Sequence, residues 1–269
     1  MNLGLDASLT HALHQDDPDR FWCLVPTGQA RRPAAAALLA LNQELGRIPG
    51  QVTQPMAGFI RLEWWREAIV EARAGRPRRH PVAGALPLIQ AAGLDDAALV
   101  AMVDAREREL DDRPIADLGE LLAHARATAG RLQESLAAVA GGDPVRARRI
   151  GTAYGLMGIL RATGHLARHG QILLPDDLLR QHGVGRDALL AGKAGPGLAE
   201  VAAVVALEAR DELRNLRPVR GEPATPLLLI TRHQLRMLDR LDNDPFAAAA
   251  IGRPPLLALR LLILHGLRI

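Results

Sequence analysis

At 269 residues the chain is long enough for one large domain or two ordinary ones, and a hydrophobic content of 48% provides for a sizeable core. An aromatic content of 3% leaves Leu, Ala, Val and Ile to build that core. A net charge of +3, with no basic block interleaved with aromatics, argues against a nucleic-acid partner. The single Cys23 excludes an internal disulfide and a cysteine zinc cluster, which suits a reducing compartment.

Ala, Leu and Arg dominate, the composition of a helical protein, and Lys193 is the one lysine. The opening MNLGLDASLTHALHQDD is neither basic nor apolar enough for a signal peptide, and no run reaches the roughly 20 apolar residues of a membrane span. The first helix the pattern predicts begins at Pro33, a residue suited to a first turn, runs through AAAALLALNQELGR and stops before Pro49. A second is expected from Gln54-Pro55 to Ala74, with Phe59, Ile60, Trp64, Ile69 and Val70 as its buried stripe and Glu63, Glu67 and Glu71 spaced by four. After the basic loop RPRRHP, helices are expected over 82–92 and 95–110, the second capped by the pair Asp95-Asp96. Asp117 is expected to cap a long helix reaching Ala140, which Gly141-Gly142 stops. Asp143-Pro144 opens the next helix, and Pro175-Asp176-Asp177 starts a short one ending at Gly183. Helices near 196–216, 224–241 and 255–265 complete the chain. No strand pattern, repeat or linker interrupts this series, so a single all-α domain over residues 1–269 is expected.

The helix opened by Asp143-Pro144 continues into GLMGILRATGHLARHGQILLP, from Gly155 to Pro175. Arg161, His165, Arg168 and His169 share one helical face there, and the stretch reaches its proline without a carboxylate. Such a face either pairs with acids from elsewhere in the fold or binds an anion directly, because arginine forks onto phosphate without a metal. His165 and His169, four residues apart, could also ligate a metal, but no glutamate lies between them and no third ligand is evident.

Three stretches, in order and spacing, resemble the squalene/phytoene synthase family. The first is ALLALNQELGRIPGQVTQPMAGFIRLEWWREAI, whose IRLxWWRxAI core is the most specific piece. The second is GLMGILRATGHLARHGQILLPDDLLRQHGV, and the third is LLLITRHQLRMLDRLDNDPF followed by RPPLLALRLLIL. The resemblance implies the isoprenoid-synthase fold, a bundle of helices around a central cavity. Family enzymes join two prenyl diphosphates head to head, with magnesium bridging the leaving diphosphate and the carboxylates of two aspartate-rich segments that face each other across the cavity. Here the segment after ALLALNQEL reads GRIPGQ, with Arg47 and Pro49 where aspartates are expected. In the second segment Arg161 is retained, Ala162 stands where the first aspartate would be, and Thr163 through His169 offer no acid. The tyrosine expected before Leu-Pro is Leu173 or Leu174. The chain is more similar to the family's degenerate branch, the members that resemble an assembly factor of respiratory complex I, than to the synthases.

That resemblance implies a non-catalytic assembly or scaffolding factor with respiratory-complex subunits as partners, no catalytic residue and no cofactor. Its cavity is expected to hold a lipid or isoprenoid diphosphate, with Arg61, Trp64, Trp65, Tyr154, Arg161, His165 and Arg168 as candidate ligand-binding residues. Adjacent tryptophans on a helix point about 100° apart, so one packs in the core while the other reaches a second surface or the cavity wall. The competing expectation is a prenyl-transferring enzyme that uses magnesium through a divergent site, drawn from Glu63 and Glu67 or from Asp104, Glu107 and Asp111. Both acidic ladders are interleaved with arginines, a pattern more usual for a solvated face. The tail from Pro254 to Ile269 has leucines enough to bury a helix on most sides, so packing against the bundle is the default, and the alternative is docking on a membrane surface, where Arg253, Arg260 and Arg268 would contact anionic lipid. The expected location is the cytoplasm, or peripheral at the cytoplasmic face of the inner membrane.

Overall fold

The computed structural model describes residues 3–193 and 195–265, and every regular element among them is helical. The first is α1 (Leu3–Asp16), which precedes any element the pattern predicts and packs on α3 (Arg32–Arg47), with Leu9 and Leu13 buried. Between them lie the short α2 (Pro18–Phe21) and a 3-10 turn at Trp22–Leu24. Pro33 stands in the first turn of α3, where its missing N–H costs nothing.

In α4 (Pro55–Arg73) the buried positions are Gly58, Leu62, Trp65, Ala68, Ile69 and Ala72. This corrects the expected stripe, of which Ile69 alone is buried, while Ile60 and Val70 are 65% and 60% exposed. Two apolar stripes compete along this helix, and the one with small residues wins. A Cβ at Gly58 would overlap the Leu110 side chain, so the neighbouring segment lies against that face.

α5 (Leu86–Ala91) and α6 (Asp96–Asp104) follow, and the Asp95 carboxylate caps α6 by accepting the Ala98 N–H at 2.7 Å. The helix expected to continue to 110 ends early. A 3-10 turn at Glu107–Leu110 follows and gives way to extended backbone at Asp111. The single helix expected over 117–140 is two, α7 (Leu118–Ala125) and α8 (Arg131–Ala140), joined by one π turn at Arg126–Gly130. Asp117 caps α7 at 2.8 Å, and Gly141, at φ +83°, ends α8 in a conformation glycine adopts without strain.

The long α9 (Pro144–Arg168), capped by Asp143 at 3.1 Å, is central and packs against α7, α8, α12 and α13. Leu156 and Leu160 are fully buried on it, each contributing about 1.5–3 kcal/mol. A Cβ at Gly151 would overlap the Ala129 carbonyl oxygen, and one at Gly155 would stand 2.8 Å from the Ala129 Cβ. Backbone therefore meets backbone where α9 crosses the π turn. The remaining helices are α10 (Asp176–Gln181), α11 (Arg186–Leu190), α12 (Pro196–Glu212), α13 (Thr225–Arg240) and α14 (Leu257–His265). Of these, α11 is a helix the sequence pattern does not predict. No described helix is long and apolar enough to cross a membrane, and Arg268 lies outside the described residues.

Candidate functional site

A cavity of about 620 Å3 opens along one side of α9. Its wall takes Tyr154, Gly155, Gly158, Ile159, Ala162 and His165 from that helix, a strip of partly or fully exposed positions. The wall also takes Gly46, Pro49 and Gly50, at and beyond the end of α3. Both stretches where the family resemblance placed aspartate-rich segments therefore line one cavity, GRIPGQ through Gly46, Pro49 and Gly50 and the α9 segment through Ala162. Arg47 turns away instead, pairing with Asp16 at 2.6 Å and Glu44 at 3.3 Å.

Charge enters the cavity from the segment after α6. Arg106 donates to Glu109 at 2.7 Å and to the Asn42 Oδ1 at 2.8 Å, with its guanidinium 3.8 Å from where a Cβ of Gly46 would lie. His124 stands 3.5 Å from the same Glu109 carboxylate. Burial opposes ionisation of Glu109, but the charges of Arg106 and His124 outweigh it and hold the carboxyl below its ordinary range. Arg108 is fixed by Glu120 at 2.7 Å and by the carbonyls of Arg113 and Pro114, while Arg113 pairs with Asp111 at 2.6 Å. Because the helix breaks at Ala105, residues that a continuous helix would have presented to solvent fold inward.

Arg20, from α2, stacks over the Tyr154 ring with its guanidinium carbon 4.8 Å from the centroid and bonds Asp17 at 2.8 Å. Burial pushes the Tyr154 phenol up from its ordinary range, so it acts as a hydroxyl; it donates to Asp19 Oδ2 at 3.2 Å. That buried carboxylate also lies 3.7 Å from Arg161 and 3.7 Å from Arg253. The acid missing from the Arg161 helix is thus supplied by α2. The Nε donors of Arg20 and Arg161 are buried, with no hydrogen-bond partner among the described residues. A buried guanidinium N–H left unpaired costs about 1–3 kcal/mol, so an oxyanion or water there would gain what is otherwise lost.

Of the candidate residues from the sequence, Tyr154 and His165 line the cavity. Arg161 is drawn to Asp19 beside it, and Arg168 is exposed past the end of the cavity strip. His165 stacks near His169 at a ring separation of 4.4 Å, and the His169 Nδ1 lies 2.9 Å from the His165 carbonyl oxygen. Trp64 and Trp65 lie away from the cavity, edge to face at 5.0 Å, and both meet the ring of His80 at 5.7 and 5.3 Å. Trp65 is core, whereas Trp64 reaches a second surface and is covered by Arg78 at 5.0 Å. Arg61 is also outside the cavity, donating to Gln51 at 2.8 Å. Arg20, Arg106, Arg108, Glu109, Arg113 and His124 are cavity residues the sequence did not single out as a site. The interleaving of Arg106 and Arg108 with acids was visible, but the turn that points them inward was not.

The acidic ladders are spoken for by arginine. Glu63, Asp104 and Glu107 converge on Arg66, with Glu63 at 2.9 Å and Asp104 at 2.7 Å, and Glu67 pairs with Arg78 at 2.7 Å. A magnesium ion bridging a diphosphate needs several converging oxygen ligands not already held by cations. In the cavity Glu109 and Asp111 are each held by arginine, and among the described residues no group of three or more His, Cys, Asp or Glu could hold a metal. This donor set does not fit such an ion.

The chain is similar over its length to several known proteins. The complex I NADH dehydrogenase (ubiquinone) assembly factor 6 of Rattus norvegicus is 28% identical over 262 residues, covering 93% of this chain and 79% of that protein. The Homo sapiens counterpart is 26% identical over 271 residues, covering 97% and 81%. A phytoene synthase of Thermus thermophilus is 33% identical over 175 residues, covering 63% of this chain and 58% of that enzyme. Among solved structures, a dehydrosqualene synthase superposes with a TM-score of 0.77 at 17% identity, covering 96% of this chain and 94% of its own. Squalene synthase HpnC from Alicyclobacillus acidocaldarius superposes with a TM-score of 0.76 at 18% identity, covering 90% and 96%. These last two establish the isoprenoid-synthase-like all-α fold. The squalene/phytoene synthase family model matches residues 13–260, and the chain belongs to that family.

Proposed function

We propose that this protein is a non-catalytic member of its family, an assembly or scaffolding factor for respiratory complex I whose cavity holds a lipid or isoprenoid diphosphate without turning it over. The observation that carries this reading is a cavity lined from both segments expected to be aspartate-rich, by Gly46, Pro49 and Gly50 from one and Ala162 from the other, together with Arg106 and Arg20. Arginine binds phosphate oxygens through its own fork of donors and needs no bridging metal. Ionising an allylic diphosphate asks more, because the departing charge must be neutralised as it forms. The assembly role draws its support from the mammalian relatives, which share nearly the whole chain. It would act in the cytoplasm or peripherally at the inner membrane.

The test of the assembly role is affinity capture of the tagged protein from native membranes. Recovery of respiratory-complex subunits is expected, and their absence would overturn that role. The ligand is tested by titrating farnesyl diphosphate without magnesium into the wild type and into Arg20→Gln. Saturable heat that the substitution weakens is expected; no heat with the wild type would remove the cavity ligand. The competing reading, a prenyltransferase with a divergent metal site, draws on the Thermus thermophilus phytoene synthase relative. It needs Glu63 or Glu67 to face Asp104 or Asp111 across the cavity, and the pairing of Glu63 and Asp104 with one arginine tells against it.

A further inference from the structure

The helix α14 divides its apolar residues between two faces. Leu257 and Leu261 are 5% and 1% exposed and belong to the core, which seats the helix against α13. Leu259 and Ile263, four residues apart and so on one helical face, are 48% and 74% exposed. Leu256, immediately before the helix, is 71% exposed and sits at φ +57°, a region bulky side chains avoid. Scattered apolar exposure is ordinary; three large aliphatic residues within eight positions are a patch.

The surroundings say what would cover it. Arg260 lies on α14 itself, and Arg236 and Arg240 lie one turn apart on the exposed end of α13. All three are near His233, whose pKa is lowered by burial and then by the charges of Arg236, Arg260 and Arg240. Among the described residues none of the three is paired with a carboxylate, and the nearest acid on α13, Asp239, is held by Arg210. An aliphatic strip beside unpaired guanidinium groups matches the boundary between acyl chains and anionic headgroups. It matches a neutral protein surface or a second copy of this same basic face poorly, since like charges would meet there.

We propose that α14 and the adjoining end of α13 form a docking surface for an anionic phospholipid bilayer, with Leu256, Leu259 and Ile263 entering the interface and Arg236, Arg240 and Arg260 on the headgroups. The inference rests on the peripheral placement proposed above and says which face meets the membrane. Long arginine stems keep their charge at headgroup level while aliphatic side chains go deeper, so the two sets act together. The surface is separate from the cavity: none of these six residues lines it.

The test is flotation of the full chain with vesicles of phosphatidylcholine alone or of phosphatidylcholine with phosphatidylglycerol. Binding is expected to the anionic vesicles and to weaken at high salt. The combined variant Arg236→Gln/Arg240→Gln/Arg260→Gln should lower partitioning about a hundredfold, and Leu259→Gln/Ile263→Gln at least about tenfold. All five substituted side chains are exposed, and circular dichroism melts confirm that each variant is folded. Absence of wild-type binding to anionic vesicles, or equal binding by the variants, overturns the proposal. So does a wild-type dimer that Leu259→Gln/Ile263→Gln dissociates, since the patch is then a self-association surface. Vesicle binding that saturating farnesyl diphosphate abolishes would place the lipid in the cavity and also overturn it. Anionic-vesicle binding that every variant keeps would leave the peripheral placement standing and overturn only the face assigned here, whereas no wild-type binding defeats both, so the two can fail separately.

Discussion

Replacing Glu109 by glutamine tests how the cavity is held. The Arg106–Glu109 bond is 2.7 Å long between side chains 13% and 16% exposed, and His124 stands 3.5 Å from the same carboxylate. Glutamine keeps the shape and one oxygen acceptor but leaves Arg106 facing only neutral partners, Asn42 among them. A charge-assisted hydrogen bond contributes about 1.5–3 kcal/mol, and breaking a fully buried pair costs about 3–5 kcal/mol. With this partial exposure Glu109→Gln should cost about 2–3 kcal/mol, a fall of about 5–10 °C in Tm for a chain of this size. The pH dependence follows from the depressed carboxyl. The stability it contributes is fully present above the unfolded value of 4.5 and is lost as pH falls through the lower folded value. Circular dichroism melts of the two proteins should therefore differ at neutral pH and converge as the wild-type carboxyl protonates. If Glu109→Gln melts with the wild type at neutral pH, Glu109 does not brace the cavity and the reasoning fails.

Gly151→Ala puts a methyl into the Ala129 carbonyl, which belongs to backbone and cannot swing aside, so a loss of about 1–3 kcal/mol is expected as a lower urea midpoint at unchanged m. Arg66→Met releases Glu63, Asp104 and Glu107, each about half exposed; solvent screening limits the loss to about 1 kcal/mol, and it should shrink further in high salt. Burial pushes the Cys23 thiol far up, so a thiol reagent should leave the native protein unlabelled at mildly alkaline pH and label it fully once denaturant is added.

Helix boundaries set by local chemistry were legible in the sequence. Asp95, Asp117 and Asp143 cap where their positions before apolar runs said they would, and Gly141 stops α8. What depends on tertiary choice was not. Phe59, Ile60 and Val70 read as a buried stripe on α4, but Gly58, Leu62, Trp65 and Ile69 offer a face that small residues let closer to its neighbours. The helix α1 went unread although Leu5, Leu9 and Leu13 recur at intervals of four, because polar residues dilute that signal. Most consequential was the break after Asp104. Read as a continuous helix, Arg106, Arg108 and Glu109 look like a solvated face, whereas the 3-10 turn there makes them cavity wall. The pairing of Arg161 with Asp19, across more than half the chain, has no local signature at all.

A cavity with no acid from either segment expected to be aspartate-rich, and with Arg20, Arg106 and Arg108 in its wall, should hold an anion and not ionise it. Incubation of the purified protein with magnesium and farnesyl or geranylgeranyl diphosphate, with released diphosphate as the readout, tests this most directly. Release at the level of the protein-free control is the predicted result; release above that background would contradict the claim.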